Sequence, residues 1–481
     1  MMEVEESKMK RIVSLLLIVC MLALLCGCKS ATEPTEEITT QESTEIAKWE
    51  PYEGDKKNYV YYYDKGVSRM WEEDLLFLTN TYLEEHPLLT PEESHISYRE
   101  GTAWKGYYSD EKYDPEKRAA FLAIFNEAIP QLQNMNKTQF LNVVRKMLAS
   151  TGDAHAYIIS PTRRNFPLTV IEDNGAFYVI NILKEHESFM FAQLLSINGV
   201  AVNDVIDALR PYISYENDYC LIDQLTRPYY AEVLFSLEFL QEADIVKDGD
   251  TAEFELKKED GSIHKLELTA VDLDSENYAK RVDAYRYDSP LFRISSSNYW
   301  YIYIDETPYL RISDFEYNSE ENTDETLLDV GNALFAEVRD AGGAERLIID
   351  LRNNGGGYRL QGYHQIVSIL QRMEIKRIYV LINGGVFSQS VVFATYLKQE
   401  LDNVVLVGSP AGQAPNFFGA VERYTMPNTR TEFALAWQWW IGWEDYPYDA
   451  LMPDVAVVQT LQDYKERKDA ALIYVLQDEI P

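Results

Sequence analysis

Cysteine is nearly absent from this 481-residue chain: there are four, and Cys20, Cys26 and Cys28 all fall near the N-terminus. Only Cys220 remains in the body of the chain, so neither a disulfide framework nor a cysteine-rich metal site can be built. Basic residues are also scarce, 44 Lys and Arg against 78 Asp and Glu, giving a formal net charge of -34. A field of that sign repels phosphate backbones and argues against a nucleic-acid partner. No apolar run reaches the roughly 20 residues of a membrane span, and no repeat of the length that marks a solenoid is present. The remaining composition, 46% hydrophobic and 25% charged, is that of a folded globular protein.

From Met9 the chain reads two basic residues, an apolar run from Ile12 to Leu25, and then Leu25-Cys26-Gly27-Cys28. That is the layout of a secretory signal rather than of a membrane helix. Its ending resembles a bacterial lipobox, which makes Cys28 the expected lipidated N-terminus and places the protein on the extracytoplasmic face of the cell membrane. Residues 1–27 are then the leader. The Ser/Thr/Glu-rich stretch within 28–55 cannot bury enough apolar surface to fold and is expected to be a flexible tether.

Helical periodicity dominates 56–160, as in Phe121, Ile124, Phe125 and Ile129, or Phe140, Val143, Val144 and Met147. Over 161–275 short β-rich runs (168–171, 176–182, 251–256, 263–268) alternate with Asn-Gly and Asp-Gly turns. Within them Leu194–Ile213 reads strand, Asn-Gly turn, strand, helix, which resembles the carboxylate-binding segment of PDZ domains; any small α+β module with a hairpin is the alternative. From 276 to 481, apolar runs of four to six residues alternate with helical stretches, predicting a layered α/β domain with a largely parallel sheet.

Three motifs carry possible chemistry. Asp350-Leu351-Arg352-Asn353-Asn354-Gly355-Gly356-Gly357 follows a buried strand; its glycines leave N–H groups open to a developing oxyanion, or form a tight turn. The phosphate-loop ending Gly-Lys-Ser/Thr is missing. Ser388 stands at a strand-to-helix junction after Gly384-Gly385, where a serine is either a nucleophile on an elbow or a plain N-cap. A serine nucleophile needs a base. Of six histidines, His155 alone follows a Gly-Asp turn and leads into an apolar run, whereas His86 and His95 lie in a Pro/Glu-rich stretch. The run Ala436–Trp443 either walls a hydrophobic pocket or is a core strand.

The order Gly-Asp-x-His, Asp-Leu-Arg-x-Asn-x-Gly-Gly, Ser-x-Ser and Val-Gly-x-Pro resembles the tail-specific (C-terminal processing) serine peptidases over roughly residues 135–475. The ending through Tyr424–Arg430 and Met452–Asp469 agrees. The resemblance implies a crotonase/ClpP-like protease core, Ser388 as nucleophile, and Gly356 and Gln389 N–H groups as oxyanion hole. Where the family's Ser–Lys branch carries its lysine, this chain has Gln413. The tricorn-core-like Ser-His branch fits instead, with His155 as base and Glu444, or else Asp449, as the acid. Peptides or proteins are then the substrates, the membrane is met only through the lipid, and no metal or cofactor is implied. The alternative from another class is a non-catalytic peptide- or small-ligand-binding lipoprotein on the same fold.

Overall fold

The computed structural model describes residues 67–91, 112–159, 164–227, 233–276, 280–284, 297–315, 326–357 and 363–480. The leader, the tether and Cys28 lie outside them. Among the described residues no helix is long and apolar enough to cross a membrane.

Helices α1 (Val67–Glu85), α2 (Pro115–Ala128) and α3 (Lys137–Thr151) come first. Asp114 caps α2 ahead of Pro115, Asn136 and Gln139 form a capping box on α3, and Gly152 ends α3 at φ 73°. Those signals fix where α3 stops, and therefore where the Asp153–His155 turn begins. Strand β1 (Ile158–Ile159) carries the chain out of that turn.

An α+β unit follows. Its strands are β2 (Arg164–Asn165), β3 (Leu168–Asp173), β4 (Ala176–Leu183), β5 (Gln193–Ile197) and β6 (Val200–Ala201), then β7 (Thr251–Lys257), β8 (Ile263–Thr269), β9 (Val271–Asp272) and β10 (Arg281–Asp283). Between β6 and β7 lie helices α4 (Val202–Leu209), α5 (Asp218–Thr226) and α6 (Leu237–Glu242). The strand, Asn198-Gly199 turn, strand and helix read from the sequence are present as β5, β6 and α4. Strands β10-β4-β5-β7-β8 form the main path of the sheet, and β2 pairs with β9 apart from it.

The remaining chain builds a second sheet in the order β11 (Tyr299–Ile304), β12 (Thr307–Ile312), β13 (Ala344–Asp350), β14 (Ile375–Ile382), β15 (Val404–Gly408) and β18 (Val455–Ala456). Only the β11–β12 pairing is antiparallel. Alternate side chains enter opposite cores, as period two demands. Leu347, Ile349, Ile378, Val380 and Ile382 pack under α7 (Leu327–Asp340), α8 (Tyr363–Leu370) and α9 (Gln389–Glu400). Ile348, Tyr379, Leu381 and Val407 face α11 (Ala470–Gln477), which follows α10 (Leu461–Glu466). Both faces are covered, which is why these strands read as continuous apolar runs.

A long ribbon of β16 (Asn416–Thr425) and β17 (Glu432–Ile441) joins the regions, with β1 paired to β17 at Ile158–Phe433. The Trp-rich run lies mostly on β17, where Phe433 to Ala436 are buried and Trp439 packs edge-on against Phe418. The ribbon also holds the helices. Tyr82 donates to the Ala434 carbonyl, and Asp74 accepts the Asn428 and Thr429 N–H groups. The described residues accordingly belong to one compact unit.

Candidate active site

The site lies beyond the carboxyl ends of adjacent parallel strands, the usual ligand crevice of an open α/β sheet. The turns after β13, β14 and β15 carry Gly356, Ser388 and Gln413 respectively. Ser388 is the last residue before α9 and adopts φ 53°, ψ -121°. That is left-handed backbone for a residue with a Cβ, and such strain persists only where the surroundings over-determine it. The surroundings do so. The Ser388 N–H donates to Gln413 Oε1 (2.7 Å), and Gly356 leaves no room for any side chain, since a Cβ there would lie 2.7 Å from the Ser388 Cβ. Ser388 makes no side-chain cap on α9; instead its Oγ is 3.0 Å from His155 Nε2. Of the two serines in the motif, Ser390 is buried within the helix with no hydrogen-bond partner for its Oγ.

His155 is buried, its ring held between Phe387 of the nucleophile turn (centroids 4.7 Å apart) and Phe417 at the start of β16 (6.0 Å). Two carboxylates, Asp153 and Glu216, stand close by, with one atom of each within 4.8 Å of a ring nitrogen. Asp153 is committed elsewhere: Oδ1 accepts the His155 backbone N–H (2.8 Å) and Oδ2 is bonded by His86 Nε2 (3.1 Å). Because the Leu88 N–H donates to His86 Nδ1, the His86 proton sits on Nε2 and is donated to Asp153. Burial alone would raise the Asp153 carboxyl, but its bonds to His155 and His86 bring it down to about 2, so it is ionised. The distance from Asp153 Oδ1 to His155 Nδ1 is 3.5 Å, too long for a full hydrogen bond. His155 Nδ1 is left buried and without a partner.

Glu216 lies between α4 and α5, on a segment that ties the α+β unit to the core. Ser214 donates to the Ala156 carbonyl, and Asn217 to the carbonyls of Ala411 and Asp449. Glu216 Oε1 accepts Gln413 Nε2 at 2.6 Å, so the Gln413 amide bridges Glu216 and the Ser388 backbone. Burial and the Asp153 charge raise the Glu216 carboxyl well above the usual range, against the lowering pull of Gln413 and the Ala154 N–H.

The predicted nucleophile and base are thus brought together, and the predicted acid is not. Glu444 is exposed on the turn after β17, and Asp449 is exposed too, meeting the site only through its carbonyl. They lie on the segment after β17, where the Trp443 and Tyr446 rings meet at a tilt, and both carboxylates are exposed to solvent. Sequence reading missed Glu216, which no motif marks, and His86, which directly follows α1 and is fully buried. Of the two expected oxyanion donors, the Gln389 N–H is at the start of α9, where helix N–H groups lack intrahelical acceptors. The Gly356 N–H instead donates to Asn354 Oδ1 at 2.9 Å, a bond within its own loop. Lys398 is no candidate base, because its Nζ is bonded to Asp454 and to the Val404 carbonyl.

The signature Asp350 and Arg352 do not reach the nucleophile. Asp350 accepts from Tyr309 (2.6 Å), Arg311 (2.9 Å) and Arg352, whose guanidinium turns its other edge to Asp469 at 2.7 and 2.8 Å. All four charged groups are buried. They fasten the glycine loop to the N-cap of α11.

Residues 306–377 match the model of peptidase family S41. No curated protein matches the chain. Among solved structures, mature CPAF superposes with a TM-score of 0.56 at 15% identity, over 85% of this chain and 96% of that one. Mature CPAF complexed with lactacystin gives 0.56 at 14%, over 85% and 97%. At these identities the likeness is one of fold. The S41 match and the mixed α/β fold together support a serine-type peptidase that acts on peptides or proteins.

Proposed function

We infer that this protein is a Ser-His peptidase that cleaves peptide bonds through an acyl-enzyme. The observation that carries the reading is the 3.0 Å approach of His155 Nε2 to the Oγ of a serine held at positive φ on a strand-to-helix elbow. His155 Nε2 takes the Ser388 proton as Oγ attacks the substrate carbonyl, then returns it to the leaving amine. The Gln389 N–H meets the developing oxyanion, aided by the α9 N-terminus. The Gly356 N–H joins it once released from Asn354.

Asp153 fixes the backbone of the His155 turn, so the carboxylate left to orient the ring through Nδ1 is Glu216. Gln413 holds that carboxylate with its amide N–H while its carbonyl fixes the nucleophile's own N–H. One side chain thereby ties the acid to the elbow, where the Ser–Lys relatives would place a base.

A fluorophosphonate probe tests the reading directly. It is expected to label Ser388 in the wild-type chain and leave Ser388→Ala unlabelled. A wild-type chain that neither reacts with the probe nor cleaves any peptide library would favour the binding-protein alternative.

The same reading includes a PDZ-like role for the α+β unit, a crotonase/ClpP-like ancestry for the core, and a lipid anchor at Cys28 on the extracytoplasmic face. Support for the anchor is the lipobox and the polar tether behind it. Cys28→Ser is expected to release the protein from the membrane fraction or leave the leader uncut, scored by fractionation and N-terminal mass. Continued membrane retention with a processed N-terminus would count against lipidation.

A further inference from the structure

The back of the site holds one carboxylate more than a catalytic triad requires. Asp153, His155 and Glu216 each present one ligand-type atom, and the three atoms lie within 4.8 Å of one another. Asp153 and His155 are buried and Glu216 is partly buried; Nδ1 is the ring nitrogen turned to Asp153, and it is buried without a hydrogen-bond partner. A triad needs one carboxylate behind its histidine, and here two lie in the same cluster. Bonds of about 2.0–2.1 Å in tetrahedral geometry need ligand atoms about 3.3 Å apart. The Nδ1–Oδ1 pair already stands at 3.5 Å. Closing the rest takes a side-chain rotation of Glu216, the most exposed of the three. The supporting shell is also in place, since each carboxylate is anchored through another bond, Asp153 to His86 and Glu216 to Gln413.

We propose that Asp153, His155 Nδ1 and Glu216 form an inhibitory site for a borderline-soft divalent cation of the Zn2+ class. Imidazole and carboxylate donors select such ions, and one open position would be filled by water. The chemistry of inhibition is a change of tautomer. When Nδ1 gives its lone pair to the metal, the single proton of the neutral ring must sit on Nε2. Nε2–H then faces Ser388 Oγ as a donor and cannot accept the serine proton. Nothing is oxidised or reduced, no covalent bond of the protein breaks, and chelation reverses the state. The metal thus regulates the site assigned above and rests on that reading only for its effect on activity, not for binding.

Binding is therefore measured where activity is absent. The untagged Ser388→Ala chain is titrated with ZnCl2 by calorimetry in excess Mg2+, which occupies exposed carboxylates on this acidic surface. One site is expected, and Glu216→Gln in the same background should weaken it at least tenfold. Should that variant fail to fold, Glu216→Asp takes its place, with the same direction expected. Co2+ should give visible d–d bands of a tetrahedral N/O site in Ser388→Ala and lose them in the Glu216 variant. In the active chain, Zn2+ should inhibit reversibly and EDTA restore turnover. Absence of Zn2+ binding by Ser388→Ala, or equal affinity in the Glu216 variant, overturns the proposal. A wild-type chain that binds Zn2+ at this site yet cleaves nothing would instead sink the peptidase reading and leave the metal site standing.

Discussion

His155→Ala is expected to lower kcat/KM by roughly three or more orders of magnitude on any peptide that the wild-type chain cleaves. Among the described residues, His155 is the group hydrogen-bonded to the Ser388 Oγ. Lys398 is paired with Asp454 on the far side of α9, and Gln413 is an amide whose oxygen is engaged by the Ser388 N–H. Glu216→Gln should follow with a loss of about 10²–10⁴, because a neutral amide neither orients the correct tautomer nor stabilises the imidazolium formed in the transition state. Glu444→Gln, altering an exposed carboxylate remote from the ring, should stay within about threefold of wild type. The three variants assayed side by side on one substrate decide the matter. A dead Glu444→Gln beside an active Glu216→Gln would reassign the acid, and near-normal turnover in His155→Ala would remove His155 from the mechanism.

Arg352→Leu is expected to cost about 3–5 kcal/mol of stability, the usual penalty for stranding buried charges. Asp350 and Asp469 would both lose their bidentate partner while remaining buried. With an unfolding entropy near 2.1 cal/mol/K per residue, that corresponds to a Tm lowered by about 3–5 °C for a chain of this length. Arg352→Lys should recover only part, since a point charge cannot serve two carboxylates with a planar fork.

The pH dependence carries a definite sign. Burial raises the Asp350 carboxyl, but Arg352 and Arg311 outweigh it and bring it to about 2. A carboxylate depressed in the folded state adds stability above its unfolded value near 3.9, and that stability is lost as pH falls toward 2. In Arg352→Leu the main counter-charge is gone and the Asp350 carboxyl is no longer held down, so Tm, starting lower, should fall less steeply with acid than in wild type. Thermal melts at a series of pH values read both effects; unchanged Tm and an unchanged acid limb would mean the network contributes nothing.

Much of this was legible in the sequence because local rules govern it. The apolar runs at 347–349, 378–382 and 404–407 became the central parallel strands, and the Asn198-Gly199 hairpin formed where a turn dipeptide requires it. Ser388 and His155 were legible because each sits at a junction with its own local signature. Glu216 had none: it is one of 78 acidic residues, and only the fold of the α+β unit brings it to the ring. His86 was discounted for its neighbours Pro87 and Glu85, although α1 buries it against Asp153. Glu444 was chosen by position relative to a family ending, and an outward turn of the backbone overrides that position. The state of the Gly356 N–H depends on where the Asn354 side chain points, which no pattern of residue types encodes.

His155 and Ser388 are separated by 233 positions along the chain, and Gln413 and Glu216 by 197. Synthesis proceeds from the N-terminus, so the base is made long before the serine that it activates, and the amide clamping the elbow is made later still. Contacts this distant in sequence form late, since loop closure must precede them. On the proposed mechanism, a chain still on the ribosome therefore carries no working nucleophile. Restraint during biogenesis, which many hydrolases obtain from a removable pro-segment, is here a property of chain order itself.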